Sequence, residues 1–159
     1  EEFLKFSAEE YIISANGKVL TEKAFVVAVC NASQYGNNAY IAPRASMTDG
    51  LLDVTIIHSG NPLTTALVGV DLLTGYIDRN TLIHTFRTTE ATITRKSPGP
   101  AHIDGEPMTM GVTTRIESHP GALRIYTPSA ERPFRPIITP MMSRVKEVGY
   151  NLSKLFAKR

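Results

Sequence analysis

The 159-residue sequence has one cysteine, little net charge and no long apolar run. A single Cys30 cannot form an intrachain disulfide or a structural zinc site, which agrees with a reducing, cytosolic setting. Because 17 basic residues nearly balance 15 acidic ones, no bulk charge attracts nucleic acid, and we expect no such partner. No segment resembles a signal peptide or reaches membrane-spanning length. The sequence therefore predicts a cytoplasmic protein.

Several enzyme signatures are also missing. The segment from Tyr35 to Ala39 contains Gly36, Asn37 and Asn38, whose left-handed tolerance predicts a tight bend with exposed amides. It lacks the Gly-Lys-Ser/Thr ending of a phosphate-binding Walker loop and opens no convincing helix. No Gly-x-Ser-x-Gly elbow is present, which weakens any hydrolase assignment. We therefore interpret this segment as a structural turn.

What the sequence does contain is a series of short apolar strands separated by turn residues. Asn16-Gly17 predicts a type I′ hairpin between the first two. The run from Ala24 to Cys30 is typical of a strand buried on both faces, with Cys30 in the core. These strands predict a mainly β fold class, a two-layer antiparallel β-sandwich with one inserted helix and a C-terminal helix. The predicted strands cover residues 11–14, 18–20, 24–30, 39–42, 51–58, 82–87, 91–95, 113–117 and 122–126.

The inserted helix has clear start signals. Asn61 is a favourable N-cap, and Pro62 suits the first helical position. Apolar residues then recur at three- and four-residue spacing, which predicts one stripe that faces the core. This stripe consists of Leu63, Ala66, Leu67, Val70, Leu73 and Ile77.

We expect residues 1–127 to form the sandwich, and residues 128–159 to form a proline-rich tail followed by an amphipathic helix. Ser143 is a candidate cap, and five apolar residues share one face: Val145, Val148, Leu152, Leu155 and Phe156. The helix is also basic, so it either lies on an anionic membrane surface or docks on protein, and we favour docking. Docking on the sandwich or on another domain would cover this face. Left exposed, it would drive self-association, for instance as a homo-oligomer.

Asp104-Gly105-Glu106 is the most informative segment for chemistry. Asp-Gly is a strong turn signal, but an extended backbone would also place Asp104 and Glu106 on one face. Either geometry holds two acids close together, where a carboxylate can take a proton from a hydroxyl. Taken alone, the segment is more simply a solvated turn. His102 lies two residues earlier and can border the same site.

Asp49-Gly50 turns the chain into the strand that begins at Leu51. A carboxylate there can join main-chain carbonyls in binding a hard cation such as Mg²⁺. Three oxygens are too few for a closed site, so an Asx-type turn without a metal is the simpler interpretation.

These segments occur in the order found in a known family. They are Asn31, Tyr35-Gly36-Asn37-Asn38, Ile41-Ala42-Pro43-Arg44-Ala45, Thr48-Asp49-Gly50-Leu51-Leu52-Asp53-Val54 and Ile103-Asp104-Gly105-Glu106-Pro107. Together they resemble the carboxyl-terminal domain of the bacterial diacylglycerol kinase and sphingosine kinase superfamily. The resemblance covers most of the chain, from the first hairpin to about Tyr126.

The resemblance implies a two-domain enzyme with its active site in the cleft between the domains. The other, amino-terminal domain carries a glycine-rich nucleotide motif that these residues lack, and the start at Glu1 agrees with an excised domain. Asp104 matches the family's proposed general base, and Glu106 matches a supporting acid. The resemblance also implies a structural Mg²⁺ bound by the Asp49 side chain and the main-chain oxygens of Ser46 and Leu51.

One departure concerns the bend at Gly36, where the family often has a run of glycines and this chain has Asn37 and Asn38. Asn can hold the same backbone, but its side chains narrow the space there, so a ligand role for the bend does not carry over.

The resulting prediction is the C-terminal domain of an ATP- and Mg²⁺-dependent lipid kinase that acts on diacylglycerol or a related lipid alcohol. Its partners would be a lipid at the inner membrane surface, ATP and the missing nucleotide-binding domain. Two alternatives stay open: a sphingoid-base kinase, and a non-catalytic β-sandwich that binds lipid or protein.

Overall fold

The computed structural model describes residues 7–126, which form a mainly antiparallel β fold with one α-helix. The elements are β1 (Glu9–Ala15), β2 (Lys18–Cys30), β3 (Leu52–His58), α1 (Pro62–Thr74), a 3-10 helix (Ile77–Arg79), β4 (Ile83–Thr88), β5 (Glu90–Arg95), β6 (Gly99–Ile103), β7 (Glu106–Met110) and β8 (Thr113–Glu117). The predicted fold class is confirmed. The predicted C-terminal helix lies outside the described residues. No helix within residues 7–126 is long and apolar enough to cross a membrane.

Six strands form one antiparallel sheet in the order β4-β3-β2-β1-β5-β8. Asn16 and Gly17 join β1 to β2 with φ angles of 54° and 70°, which confirms the predicted type I′ turn. The two predicted strands at 18–20 and 24–30 are one continuous strand, β2, with an irregular register between Ala24 and Val26.

The sheet curves around an apolar cluster on one of its faces. Phe86 on β4 and Ile93 on β5 pack against the same cluster, although three strands separate β4 from β5 in the sheet. The side-chain amide of Asn16 also donates to the main-chain oxygen of Arg87 at 2.7 Å, so the β1–β2 turn reaches β4. The buried members of this cluster are Ile13, Ala24, Val54 and Ile56.

The opposite face is covered by α1 and by the segment that follows β2. Residues Tyr40, Ile41 and Ala42 are buried there, and the Thr55 hydroxyl on β3 donates to the Ile41 oxygen at 2.8 Å. Because β3 is covered on both sides, its residues from Leu52 to Ile57 are all buried. The prediction of a strand at 39–42 is wrong: this segment is irregular backbone, whose buried residues fill the space under α1.

Helix α1 begins as predicted but buries a different face. The Asn61 side chain accepts from the Thr64 main-chain N–H at 2.9 Å, and Pro62 follows the cap. Val68 is buried and Leu72 packs against the core, whereas the predicted core-facing stripe is exposed at Leu63, Leu67, Val70 and Leu73. The prediction of the buried face is therefore wrong within α1, which carries apolar residues on several sides. It is confirmed at Ile77, which is buried in the 3-10 helix after α1.

Strands β6 and β7 form a hairpin that continues the β5–β8 pair away from the sheet. The main-chain N–H of Arg95 donates to the Val112 oxygen at 2.9 Å, which closes the ribbon where β5 ends. The Arg95 guanidinium binds the main-chain oxygens of Gly99 and Met110, the second at 3.1 Å. These strands were not predicted. The strand predicted at 122–126 is wrong, because that segment is irregular.

Candidate active site

Asp104 and Gly105 form the two-residue turn at the tip of the β6–β7 hairpin. Their φ angles are 50° and 90°, and Ile103 pairs with Glu106 directly across the turn. Of the two geometries that the sequence allowed, the structure has the turn. Positive φ at both central residues is the requirement that favours Asp-Gly. Asp104 therefore projects from an exposed turn, and Glu106 begins the returning strand.

His102 connects this turn to the bend that follows β2. Its ring lies edge-on to the Tyr35 ring, with centroids 5.0 Å apart and an interplanar angle of 88°. The Tyr35 hydroxyl is hydrogen-bonded to Nε2 of His102, and the Gly105 main-chain N–H donates to Nδ1 at 3.4 Å. The glycine-asparagine bend and the acidic hairpin are therefore neighbours.

The bend itself is held by its own backbone. Tyr35 N–H donates to the Ala39 oxygen, and Ala39 N–H donates to the Gly36 oxygen, both at 2.8 Å. Gly36, Asn37 and Asn38 all have positive φ, at 137°, 46° and 60°. The two asparagines thus hold left-handed backbone, as the sequence predicts for residues that replace glycine here.

The Asp49 turn precedes β3 and contacts an arginine of β4. The Leu51 N–H donates to Oδ1 of Asp49 at 2.9 Å, which is the predicted Asx turn. Oδ2 of Asp49 lies 3.6 Å from Nη1 of Arg87, and the same guanidinium binds the main-chain oxygen of Arg44. The Ser46 hydroxyl is bonded to that of Thr48 at 3.1 Å.

Arg87 also pairs with the buried Asp53. Nε of Arg87 is 3.1 Å from Oδ1 of Asp53, while Oδ2 is buried without a hydrogen-bond partner among the described atoms. Asp53 lies opposite Cys30 across β3 and β2. Burial, and secondly the Asp53 charge, raises the pKa of the Cys30 thiol to about 11.

The residues predicted to bind Mg²⁺ fit a cation poorly as they are arranged. Both oxygens of Asp49 already have partners, a main-chain amide and a guanidinium. Only the carbonyls of Ser46 and Leu51 would remain to complete the predicted set, and Mg²⁺ prefers octahedral oxygen coordination. Within residues 7–126, no three or more His, Cys, Asp and Glu side chains are grouped to hold a metal ion. A cation bound to Asp49 would lie close to the Arg87 guanidinium, whose positive charge would oppose its binding.

The predicted site residues thus fall in two places. Asp104 and Glu106 are at the hairpin tip, whereas Ser46, Asp49 and Leu51 precede β3, and no hydrogen bond or ion pair between described residues joins the two groups. Sequence reasoning missed Arg87 and Arg95, since a lone arginine in a strand carries no local signal of its distant partners. It placed His102 at the border of the Asp104 site but assigned it no role.

The described residues form a curved antiparallel β domain with a covering helix and an exposed acidic hairpin, and one known family of domains matches them. The model of the "YegS C-terminal NAD kinase beta sandwich-like domain" matches residues 1–127. The chain belongs to this family.

A curated relative agrees with this assignment. The chain is 34% identical over 100 residues to the "Probable lipid kinase YegS-like" protein of Pseudomonas fluorescens, a match that spans 62% of this chain and 32% of that protein. The chain therefore spans about a third of the curated relative that it matches.

Solved structures show the same fold. A "putative diacylglycerol kinase" from Bacillus anthracis aligns with a TM-score of 0.59 and 24% identity, over 73% of this chain and 37% of that one. A second Bacillus anthracis structure, of a diacylglycerol kinase, aligns with a TM-score of 0.52 and 16% identity, over 75% and 43% of the two chains.

Proposed function

We propose that this chain is the acceptor-side domain of an ATP-dependent lipid kinase, with Asp104 as general base. The observation that carries the proposal is the position of Asp104, on a well-defined turn at the exposed tip of a hairpin. A base in this position is open to a substrate held by a second domain. The acceptor is the hydroxyl of diacylglycerol or of a related lipid alcohol, presented at the inner membrane surface.

In the proposed reaction, Asp104 accepts the proton of the lipid hydroxyl while the hydroxyl oxygen forms a bond to the γ-phosphorus of ATP. The bond from that phosphorus to the bridging oxygen breaks, and ADP leaves with the electron pair. Such transfer depends on orientation and charge stabilisation more than on covalent help. Glu106, directly after the turn, supports the orientation of Asp104. Mg²⁺ bound with ATP would supply charge neutralisation at the phosphates.

ATP would be bound mainly by a nucleotide-binding domain outside this chain. We therefore propose that residues 1–159 alone have little kinase activity. Residues 128–159 are proposed to dock on the sandwich or on that second domain. The predicted Asp49 cation site has no step in this proposal, because the Arg87 guanidinium lies 3.6 Å from one oxygen of that carboxylate.

The test uses the full-length parent protein, labelled ATP and a panel of lipids that includes diacylglycerol, monoacylglycerol and a sphingoid base. Asp104→Asn keeps the turn, since Asn also accepts positive φ, and should lower kcat at least 100-fold. Full activity of this variant would refute the role of Asp104. Preferred labelling of the sphingoid base would instead identify the alternative kinase.

A non-catalytic lipid- or protein-binding domain is the second candidate. The exposed apolar residues Leu63, Leu67, Val70 and Leu73 of α1 favour it, because such a stripe offers a contact surface. No labelling of any lipid by a folded, ATP-binding parent would support this candidate over the kinase.

A further inference from the structure

His102 is the only described side chain that bonds both to the main chain of the acidic turn and to a residue outside the hairpin. It receives the Gly105 N–H on Nδ1 and is bonded to Tyr35 through Nε2. Tyr35 is 67 residues away in the sequence, on the bend that Gly36, Asn37 and Asn38 fold. Among the described residues, the hydrogen bond between His102 and Tyr35 therefore connects the hairpin tip to another part of the domain.

The direction of these hydrogen bonds determines the state of the ring. A main-chain N–H only donates, so Nδ1 of His102 must accept and carries no proton. The neutral imidazole then has its proton on Nε2, which donates to the Tyr35 oxygen. The protonated ring has N–H groups on both nitrogens and cannot accept from Gly105. The neutral ring can therefore hold the turn through the Gly105 hydrogen bond, whereas the charged ring cannot.

We propose that His102, oriented by Tyr35, is a positioning residue that fixes the Asp104-Gly105 turn and thereby the direction of the general base. The structural part of this proposal stands on the two hydrogen bonds and the ring contact alone. Its effect on phosphoryl transfer rests on the proposed function. His102 itself need not touch either substrate.

The first experiment needs no kinase activity. Nitrogen-15 NMR of the 159-residue chain reports the His102 tautomer and the protection of the Gly105 amide against solvent exchange. We expect the Nε2–H tautomer, and a Gly105 amide that exchanges more slowly than the same amide in an unstructured chain. An Nδ1–H tautomer, or a Gly105 amide that exchanges as fast as in an unstructured chain, would overturn the proposal.

Two replacements of His102 separate the two hydrogen bonds. In His102→Asn the side-chain oxygen lies where Nδ1 was and can accept from Gly105, whereas in His102→Gln the amide nitrogen lies where Nε2 was and can donate to Tyr35. We expect His102→Asn to retain more of the Gly105 amide protection than His102→Gln. The reverse order would contradict the proposed role of Nδ1.

The kinetic consequence is measured in the full-length parent. His102→Gln should lower kcat roughly tenfold and leave the KM for ATP unchanged, because a misdirected base slows transfer without weakening nucleotide binding. His102→Asn should restore part of kcat, and Tyr35→Phe should fall between them. Unchanged kcat in His102→Gln, with Asp104→Asn inactive, would refute the positioning role. Unchanged kcat in both would refute the proposed base instead.

Discussion

Arg87 and Asp53 are direct partners across β4 and β3, and the Arg87 Nε lies 3.1 Å from Oδ1 of Asp53. The two side chains differ in exposure: that of Asp53 is 11% exposed and that of Arg87 is 38% exposed. The second carboxylate oxygen of Asp53 is buried without a described partner. Arg87 thus provides the positive charge that balances the buried Asp53 carboxylate. It also contacts Asp49 in the turn before β3.

Replacement of Arg87 by Met should therefore destabilise the domain. The variant leaves a buried carboxylate without its cation, and we expect the free energy of unfolding to fall by about 2–3 kcal/mol, given the partial exposure of Arg87. Urea denaturation measures this change.

Two controls accompany that variant. Arg115→Met removes an arginine whose partners Glu90 and Glu117 are exposed, so it should have little effect. Arg87→Met combined with Asp53→Leu should recover most of the lost stability, since no unpaired charge remains. Equal losses in the single and double variants would contradict this account.

The two faces of α1 can be compared with one substitution made at two positions. Val68→Ala removes buried methyl groups and should cost about 2 kcal/mol. Val70→Ala makes the same chemical change at a side chain that is half exposed, and alanine's helix propensity should offset most of its small loss. Thermal unfolding of the two variants, measured side by side, checks the assignment of the faces. Similar losses at both positions would mean that Val70 is also covered.

Cys30 provides a pH-dependent test. Its pKa is raised from 9.0 to about 11, first because of burial and secondly because of Asp53. The unfolded thiol ionises before the folded one, so stability should fall as the pH rises from about 9 to about 11, by up to roughly 2 kcal/mol.

Denaturation at pH 8 and pH 10.5 measures that fall, with Cys30→Ala as the control that lacks the titration. The folded thiol should also react slowly with iodoacetamide at pH 8.5, because little thiolate is present. Fast alkylation under native conditions would show that the thiol is not protected.

The sequence predicted those parts of the fold that depend on neighbouring residues. Asn16-Gly17 favours the positive φ angles of a tight turn, and Asn61-Pro62 caps a helix with its own atoms. The buried face of α1 was different, because its environment is set by β2, β3 and the segment from Tyr40 to Ala42, which lie far away in the sequence. Strands β6 and β7 were missed because Gly99, Pro100 and Pro107 disfavour strand structure locally.

In the candidate site, too, features set by neighbouring residues were predicted and contacts between distant residues were not. Asp104 and Glu106 stand out in the sequence because Asp-Gly has a local conformational meaning. The contact between Tyr35 and His102 has no such signal, since each is an ordinary polar aromatic residue until folding brings them together. The same holds for Arg87, whose two acidic partners lie 34 and 38 residues before it.

The ribbon of β6 and β7 has a practical consequence for anyone who judges this protein by its melting curve. Its residues from His102 to Thr109 are exposed, and the hairpin lies outside the six-stranded sheet. Such a segment can open at a free energy well below that of global unfolding. A preparation can therefore melt cooperatively at its usual temperature after the tip has lost its geometry. Amide exchange at Gly105, rather than calorimetry, is the appropriate criterion of an intact site.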